Sequence, residues 1–131
     1  MKSRILYIED CEQNFYLVNF MLRFRGHEVL WAKDGPSGID ASLRERLDLI
    51  LLDIQLPIID GYAVVQALRS RPQLGAIPIV ALTSYAMPGD REKALRLGCN
   101  EYIEKPLDPA TFVAQIEEIL ATSGAGGHAE D

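Results

Sequence analysis

Two four-residue runs, Leu49–Leu52 in "DLILLD" and Ile79–Leu82 in "IPIVALT", are apolar at every position. A strand with one wet face alternates apolar and polar side chains. A strand buried on both faces has no such need, and that condition is met in parallel sheets covered by helices. Three further short runs, "RILYI", "EVLWA" and "EYIEK", are spaced from these two by amphipathic segments of helical length. Strands and helices therefore alternate, the pattern of βαβ units. The sequence predicts an α/β fold: a doubly wound parallel sheet of five strands flanked by five helices.

Punctuation supports these divisions. Gly26 follows the first helix, Asp34-Gly35-Pro36 supplies a cap and an early proline for the second, and Asp60 caps the third. Pro72 and Gly75 separate the third helix from the fourth strand, and Gly98 closes the fourth helix. With 131 residues the chain holds one domain with a single sizeable core. Residues 1–121 are expected to form it, and the glycine-rich residues 122–131 a flexible tail.

The net charge of −6, without a local basic cluster, argues against nucleic acid or an anionic membrane as a partner. The N-terminal apolar run is too short for a signal-peptide core or a membrane span, so a cytoplasmic location is expected. Cys11 and Cys99 are too few and too separated for a disulfide framework or a zinc site.

In a doubly wound sheet, ligands gather at the carboxyl ends of the strands. Those ends carry Glu9-Asp10, Asp53, Thr83-Ser84 and Lys105-Pro106. Each is unremarkable alone: a helix cap, a turn residue, a local hydrogen-bonder, a solvated charge. Gathered at one edge, three carboxylates repel one another unless a cation compensates. Carboxylates with phosphate oxygens suit Mg²⁺. Lysine adds a point positive charge and threonine a hydroxyl donor. The set suits a carboxylate nucleophile, Asp53, that receives a phosphoryl group.

"YIED", "LLDIQLPIIDG", "IPIVALTSYA" and "YIEKP", in this order, resemble the receiver domain of two-component response regulators, from about Lys2 to Ala121. The resemblance implies strand order 2-1-3-4-5, Asp53 as phosphoacceptor, and Mg²⁺ held by Asp10, Asp53 and the backbone carbonyl of Gln55, with Glu9 completing the acidic pair. It implies Thr83 and Lys105 as the partnering hydroxyl and lysine, and a cis Lys105–Pro106 peptide. Tyr102 matches the switch aromatic, which turns inward as Thr83 moves to the phosphoryl group. Expected partners are a histidine kinase or histidine phosphotransfer protein and a downstream effector protein, the chain being a monomer or weak dimer. Such a receiver catalyses only its own phosphorylation and dephosphorylation.

Glu9 stands where many receivers have Asp, and Cys11 follows the acidic pair. Gln55 and Tyr85, two residues beyond Asp53 and Thr83, should flank the phosphoryl group. On the first helix, Asn14, Leu17, Val18, Met21 and Leu22 define the expected inward arc. Tyr16, Phe20 and Phe24 form a flanking stripe, either packed at the core margin or available for partner docking.

A stand-alone response regulator is the leading reading; a phosphorelay shuttle or a receiver excised from a hybrid kinase are its variants. An aspartate-nucleophile phosphatase of the haloacid dehalogenase type needs a second Asp where Gln55 stands. A flavodoxin-like mononucleotide binder needs hydroxyls and amides where Glu9 and Asp10 stand.

Overall fold

A computed structural model describes residues 2–123. Five parallel strands, β1 (Arg4–Ile8), β2 (Glu28–Ala32), β3 (Leu49–Asp53), β4 (Ile79–Thr83) and β5 (Glu101–Glu104), form one sheet in the order β2-β1-β3-β4-β5. The helices are α1 (Glu12–Phe24), α2 (Gly35–Arg44), α3 (Gly61–Arg69), α4 (Asp90–Leu97) and α5 (Pro109–Thr122). A short 3₁₀ turn, Pro72–Leu74, fills the connection in which the sequence showed only separators. α5 continues one residue past the expected boundary at 121, and residues 124–131 of the expected tail lie outside the described residues.

Every residue of β3 and β4 is buried, as their unbroken apolar runs require. Side chains alternate between two cores. Leu6, Ile8, Ile50, Leu52, Ile79 and Ala81 face a core completed by Val64, Val65 and Leu68 of α3 and Ala94 of α4. Ile5, Tyr7, Leu49, Leu51, Val80 and Leu82 face the other, closed by α1 and by Phe112, Ile116 and Leu120 of α5. At about 25 cal/mol per Å² of apolar surface, each fully buried Leu or Ile contributes roughly 2 kcal/mol.

The helix starts follow the sequence signals. Asp34 accepts from Ser37 N–H at 2.8 Å, Asp60 from Ala63 N–H at 3.0 Å, and Asp108 from Thr111 N–H at 2.9 Å. Gly61 is required where α3 leaves the sheet edge, because a Cβ there would lie 2.5 Å from the Ile54 Cα.

The first helix is rotated from expectation. Phe15, Val18, Met21 and Leu22 are buried, whereas Leu17 is exposed. At 100° per residue, Phe15 and Leu22 are seven positions and nearly two full turns apart, so they share a face. Leu17, five positions from Leu22, points well away from it. Leu17 therefore joins Tyr16, Phe20 and Phe24 on an outward apolar face; Phe20 is 72% and Phe24 83% exposed. Packing at the core margin does not describe these two phenylalanines.

Candidate phosphoacceptor site

The parallel register places the ends of β1, β3, β4 and β5 side by side. Asp53, the last residue of β3, pairs with Leu82, one position before Thr83. Thr83 in turn pairs with Glu104, one position before Lys105. Glu9 and Asp10 follow β1 directly. Glu9, Asp53 and Thr83 are buried, and Asp10 is exposed. One oxygen from each of Glu9, Asp10 and Asp53 lies within 4.8 Å of the others, a spacing one cation can bridge.

Lys105 Nζ donates to Glu9 Oε1 at 2.9 Å and to Asp53 Oδ2 at 3.4 Å. Its peptide to Pro106 is cis. One lysine thus reaches two of the three carboxylates, and the balance shows in the proton affinities of those two, Glu9 and Asp53. Burial raises the Asp53 pKa above the ordinary aspartate value; the Glu9 charge adds to this, opposed by Gln55 N–H and by Lys105. Burial also works against the Glu9 carboxylate. Hydrogen bonds from Lys105, Cys11 N–H and Tyr7 outweigh it and hold Glu9 below its ordinary value. Glu9 is therefore the satisfied carboxylate of the pair, and Asp53 the under-compensated one.

Glu9 also answers for the start of α1. Cys11 occupies the cap position without a side-chain cap bond, and its N–H donates instead to Glu9 Oε2 at 3.1 Å. Glu9 does not cap α1 in the usual sense, because the N–H it accepts belongs to the cap residue Cys11 itself and not to the first helical turn. Two contributors were missed in the sequence. Tyr7 donates its hydroxyl to Glu9 Oε1 at 2.8 Å, and Trp31 Nε1 donates to the Glu9 carbonyl at 2.7 Å. The period of two along β1 put Tyr7 and Glu9 on one side and could have revealed the first contact. Nothing local in the sequence signals the second.

The side chain of Gln55 was also not foreseen. Its Nε2 donates to Thr83 Oγ1 at 2.7 Å, its Oε1 accepts from Ser84 N–H at 3.2 Å, and its backbone N–H donates to Asp53 Oδ1 at 2.9 Å. Tyr85 is 76% exposed beside Thr83, whose Oγ1 accepts from Tyr85 N–H at 3.0 Å. Tyr102 is already buried, with its hydroxyl 3.5 Å from Asp90 Oδ2 at the start of α4. Tyr16 lies beside the site, tilted against Phe15 and Trp31 at 5.7 and 6.2 Å between ring centroids; Phe20 and Phe24 lie further along α1.

The doubly wound sheet, with an acidic cluster, a lysine and a hydroxyl at its carboxyl edge, has the arrangement that the receiver-domain resemblance implies. Residues 5–117 match the response regulator receiver domain family, and the chain belongs to it. The chain is 35% identical over 120 residues to the polar-differentiation response regulator DivK of Brucella anthropi, covering 92% of this chain and 98% of DivK. A putative response regulator from Chloroflexus aurantiacus superposes with a TM-score of 0.87 at 27% identity, over 92% of this chain and 99% of that one. The receiver domain of the sensor histidine kinase PA1611 from Pseudomonas aeruginosa, whose structure has a magnesium ion coordinated in the active-site cleft, superposes with a TM-score of 0.79. It is 36% identical, over 92% of this chain and 96% of its own. Family and fold place the chain in two-component signal transduction, as a signalling module rather than a classical enzyme. Among the described residues, no helix is long and apolar enough to cross a membrane.

Proposed function

We propose that the chain is a response regulator that accepts a phosphoryl group on Asp53, from a histidine kinase or histidine phosphotransfer protein, and thereby changes its binding surface for a downstream protein. The observation that carries this reading is the buried Asp53 carboxylate, held between Lys105 and Glu9 with less positive charge than its surroundings need. A carboxylate oxygen of Asp53 attacks the phosphorus of a phosphohistidine. The O–P bond forms as the P–N bond breaks, and the departing imidazole keeps the bonding electron pair. Lys105 Nζ stands beside the attacking carboxylate and offsets charge on the incoming group.

Mg²⁺ fits the donor set. Three clustered carboxylates carry one compensating lysine, and hard oxygen ligands match this cation. Asp10, Asp53 and the Gln55 carbonyl would hold it, with Glu9 engaging through water. When bound it would neutralise charge on the transferring phosphoryl group.

Thr83 is the switch hydroxyl in this reading. A charge-assisted hydrogen bond to the phosphoryl group contributes about 1.5–3 kcal/mol, enough to shift a balanced two-state equilibrium roughly ten- to a hundredfold. Tyr102 is the aromatic that reports the change on the face of α4, β5 and α5. Its buried position in the unmodified protein means that the hydroxyl's partners change more than the ring's depth.

The exposed face of α1 is the docking surface for the phosphodonor. Phe20 and Phe24 border a groove of about 390 Å³ closed on the α5 side by Pro109, Ala110 and Val113. Leu17 and Asn14 border a second, which leads to Lys105.

Incubation with Mg²⁺ and acetyl phosphate, followed by intact mass measurement, tests the reading. The wild type gains one phosphate-sized increment and Asp53→Asn none. A wild type without the increment would contradict it.

A further inference from the structure

Thr83 Oγ1 has one proton to donate and two lone pairs to fill. Both lone pairs are occupied from outside the acidic cluster: by Gln55 Nε2 at 2.7 Å and by Tyr85 N–H at 3.0 Å. The Gln55 carboxamide is used at both ends, since its Oε1 accepts from Ser84 N–H at 3.2 Å. A side chain that is itself exposed thus ties the loop after β3 to the loop after β4, while Thr83 is only 1% exposed. Long exposed glutamines ordinarily sample many rotamers, and two simultaneous bonds select one. The same residue donates its backbone N–H to Asp53 Oδ1, so the bracket starts at the acceptor carboxylate and ends on the hydroxyl.

We propose that Gln55 is a positioning residue that restrains Thr83 in the resting state, a brake that a phosphoryl group on Asp53 must release. The inference rests on the reading of Asp53 as phosphoacceptor. A phosphoryl group offers only acceptor oxygens. To meet it, Thr83 must bring its proton towards Asp53, which stretches or breaks the bond from Gln55 Nε2. Loss of one neutral hydrogen bond from the resting state favours the phosphoryl-engaged arrangement by roughly three- to tenfold.

The test uses Gln55→Met, which keeps length and volume, keeps the backbone carbonyl and N–H, and removes both side-chain bonds. Beryllofluoride with Mg²⁺ serves as the phosphoryl probe. Gln55→Met should bind it roughly three- to tenfold more tightly than the wild type. In a Thr83→Ala background the same substitution should change affinity by less than about twofold, because the restrained hydroxyl is gone. In the metal-free protein, the Ser84 amide should exchange with solvent roughly three- to tenfold faster in Gln55→Met.

Unaltered or weakened beryllofluoride binding by Gln55→Met overturns the inference, as does an equal gain in both backgrounds. Unchanged exchange at Ser84 overturns the bracket itself. A wild type that neither binds beryllofluoride nor gains phosphate overturns the reading of Asp53, and the inference with it. Wild-type binding with an unaltered Gln55→Met affinity overturns the inference alone.

Discussion

The two edges of the sheet carry similar side chains and treat them in opposite ways. At the amino edge, the cationic side chains are each met by several acceptors, neutral or charged. The Arg69 guanidinium donates to the carbonyls of Gly98, Leu74 and Gly75 and to Asn100 Oδ1. His27 and Arg25 converge on Glu117, and the Ser3 N–H fills His27 Nδ1, so the ring's other nitrogen carries the proton given to Glu117. Arg4 bridges Glu28 and Glu45. At the carboxyl edge, three carboxylates cluster around one lysine that reaches two of them, Glu9 and Asp53, and burial holds Asp53 above its ordinary pKa. Matched charge at one edge fastens the chain. Unmatched charge at the other is what the proposed function uses to hold a cation and a phosphoryl group.

A large effect expected from breaking this contrast is at the matched edge. Arg69→Ala removes four hydrogen bonds, two of them to acceptors that keep a backbone donor (Ile79 N–H on Asn100 Oδ1, Ile77 N–H on the Leu74 carbonyl), and should lower unfolding stability by about 2 kcal/mol in denaturant titration. Phosphate uptake from acetyl phosphate by the folded protein should be unchanged.

The unmatched edge should respond in the opposite direction. The native state holds the Asp53 proton more tightly than the unfolded chain does, from the ordinary 3.8 up to about 6. Ionising Asp53 therefore weakens the native state as pH rises through that window. Asp53→Asn escapes this loss. Without metal it should match the wild type in stability below pH about 4 and exceed it by on the order of 2 kcal/mol above pH about 6. Mg²⁺ should offset this difference, adding about 2.7 kcal/mol to the wild type at a hundred times its dissociation constant.

A smaller effect is expected in the loop between β3 and α3. Ile58 is 76% exposed and has φ of 73°, a left-handed conformation that is unfavourable for a β-branched residue. Ile58→Asn should stabilise the protein by about 1 kcal/mol, read as a rise in thermal midpoint. Least of all should Phe20→Ser affect stability, by no more than about 0.5 kcal/mol, since its ring is 72% exposed. It should nevertheless slow phosphotransfer from a histidine-containing protein while leaving acetyl phosphate uptake intact. Under the proposal that the Tyr85 ring shields the phosphoryl group from water, Tyr85→Ala should shorten the life of the phosphorylated form, read as faster loss of phosphate over time.

Much of this was readable before any coordinates. Unbroken apolar runs at Leu49–Leu52 and Ile79–Leu82 can sit only in a sheet covered on both faces, and each strand's last polar residue lies at one edge by construction. Caps such as Asp34 and Asp60 act over three residues, so their signal is local. The rotation of α1 was not readable. Apolar residues surround that helix, and only contact with Tyr7 and Trp31 selects Phe15 over Leu17 for the interior. The Gln55 bracket was hidden for a related reason: its partners Thr83 and Ser84 are 28 and 29 residues distant, and a glutamine signals no particular bond.

Chemical mapping of the acceptor tests the central claim most directly. After incubation with Mg²⁺ and acetyl phosphate, borohydride reduction converts an aspartyl phosphate to homoserine, and peptide mass spectrometry locates it. Homoserine at position 53 alone is the expected result. Homoserine at position 10 or 60, or at no position in a protein that has gained phosphate, would contradict the assignment of Asp53.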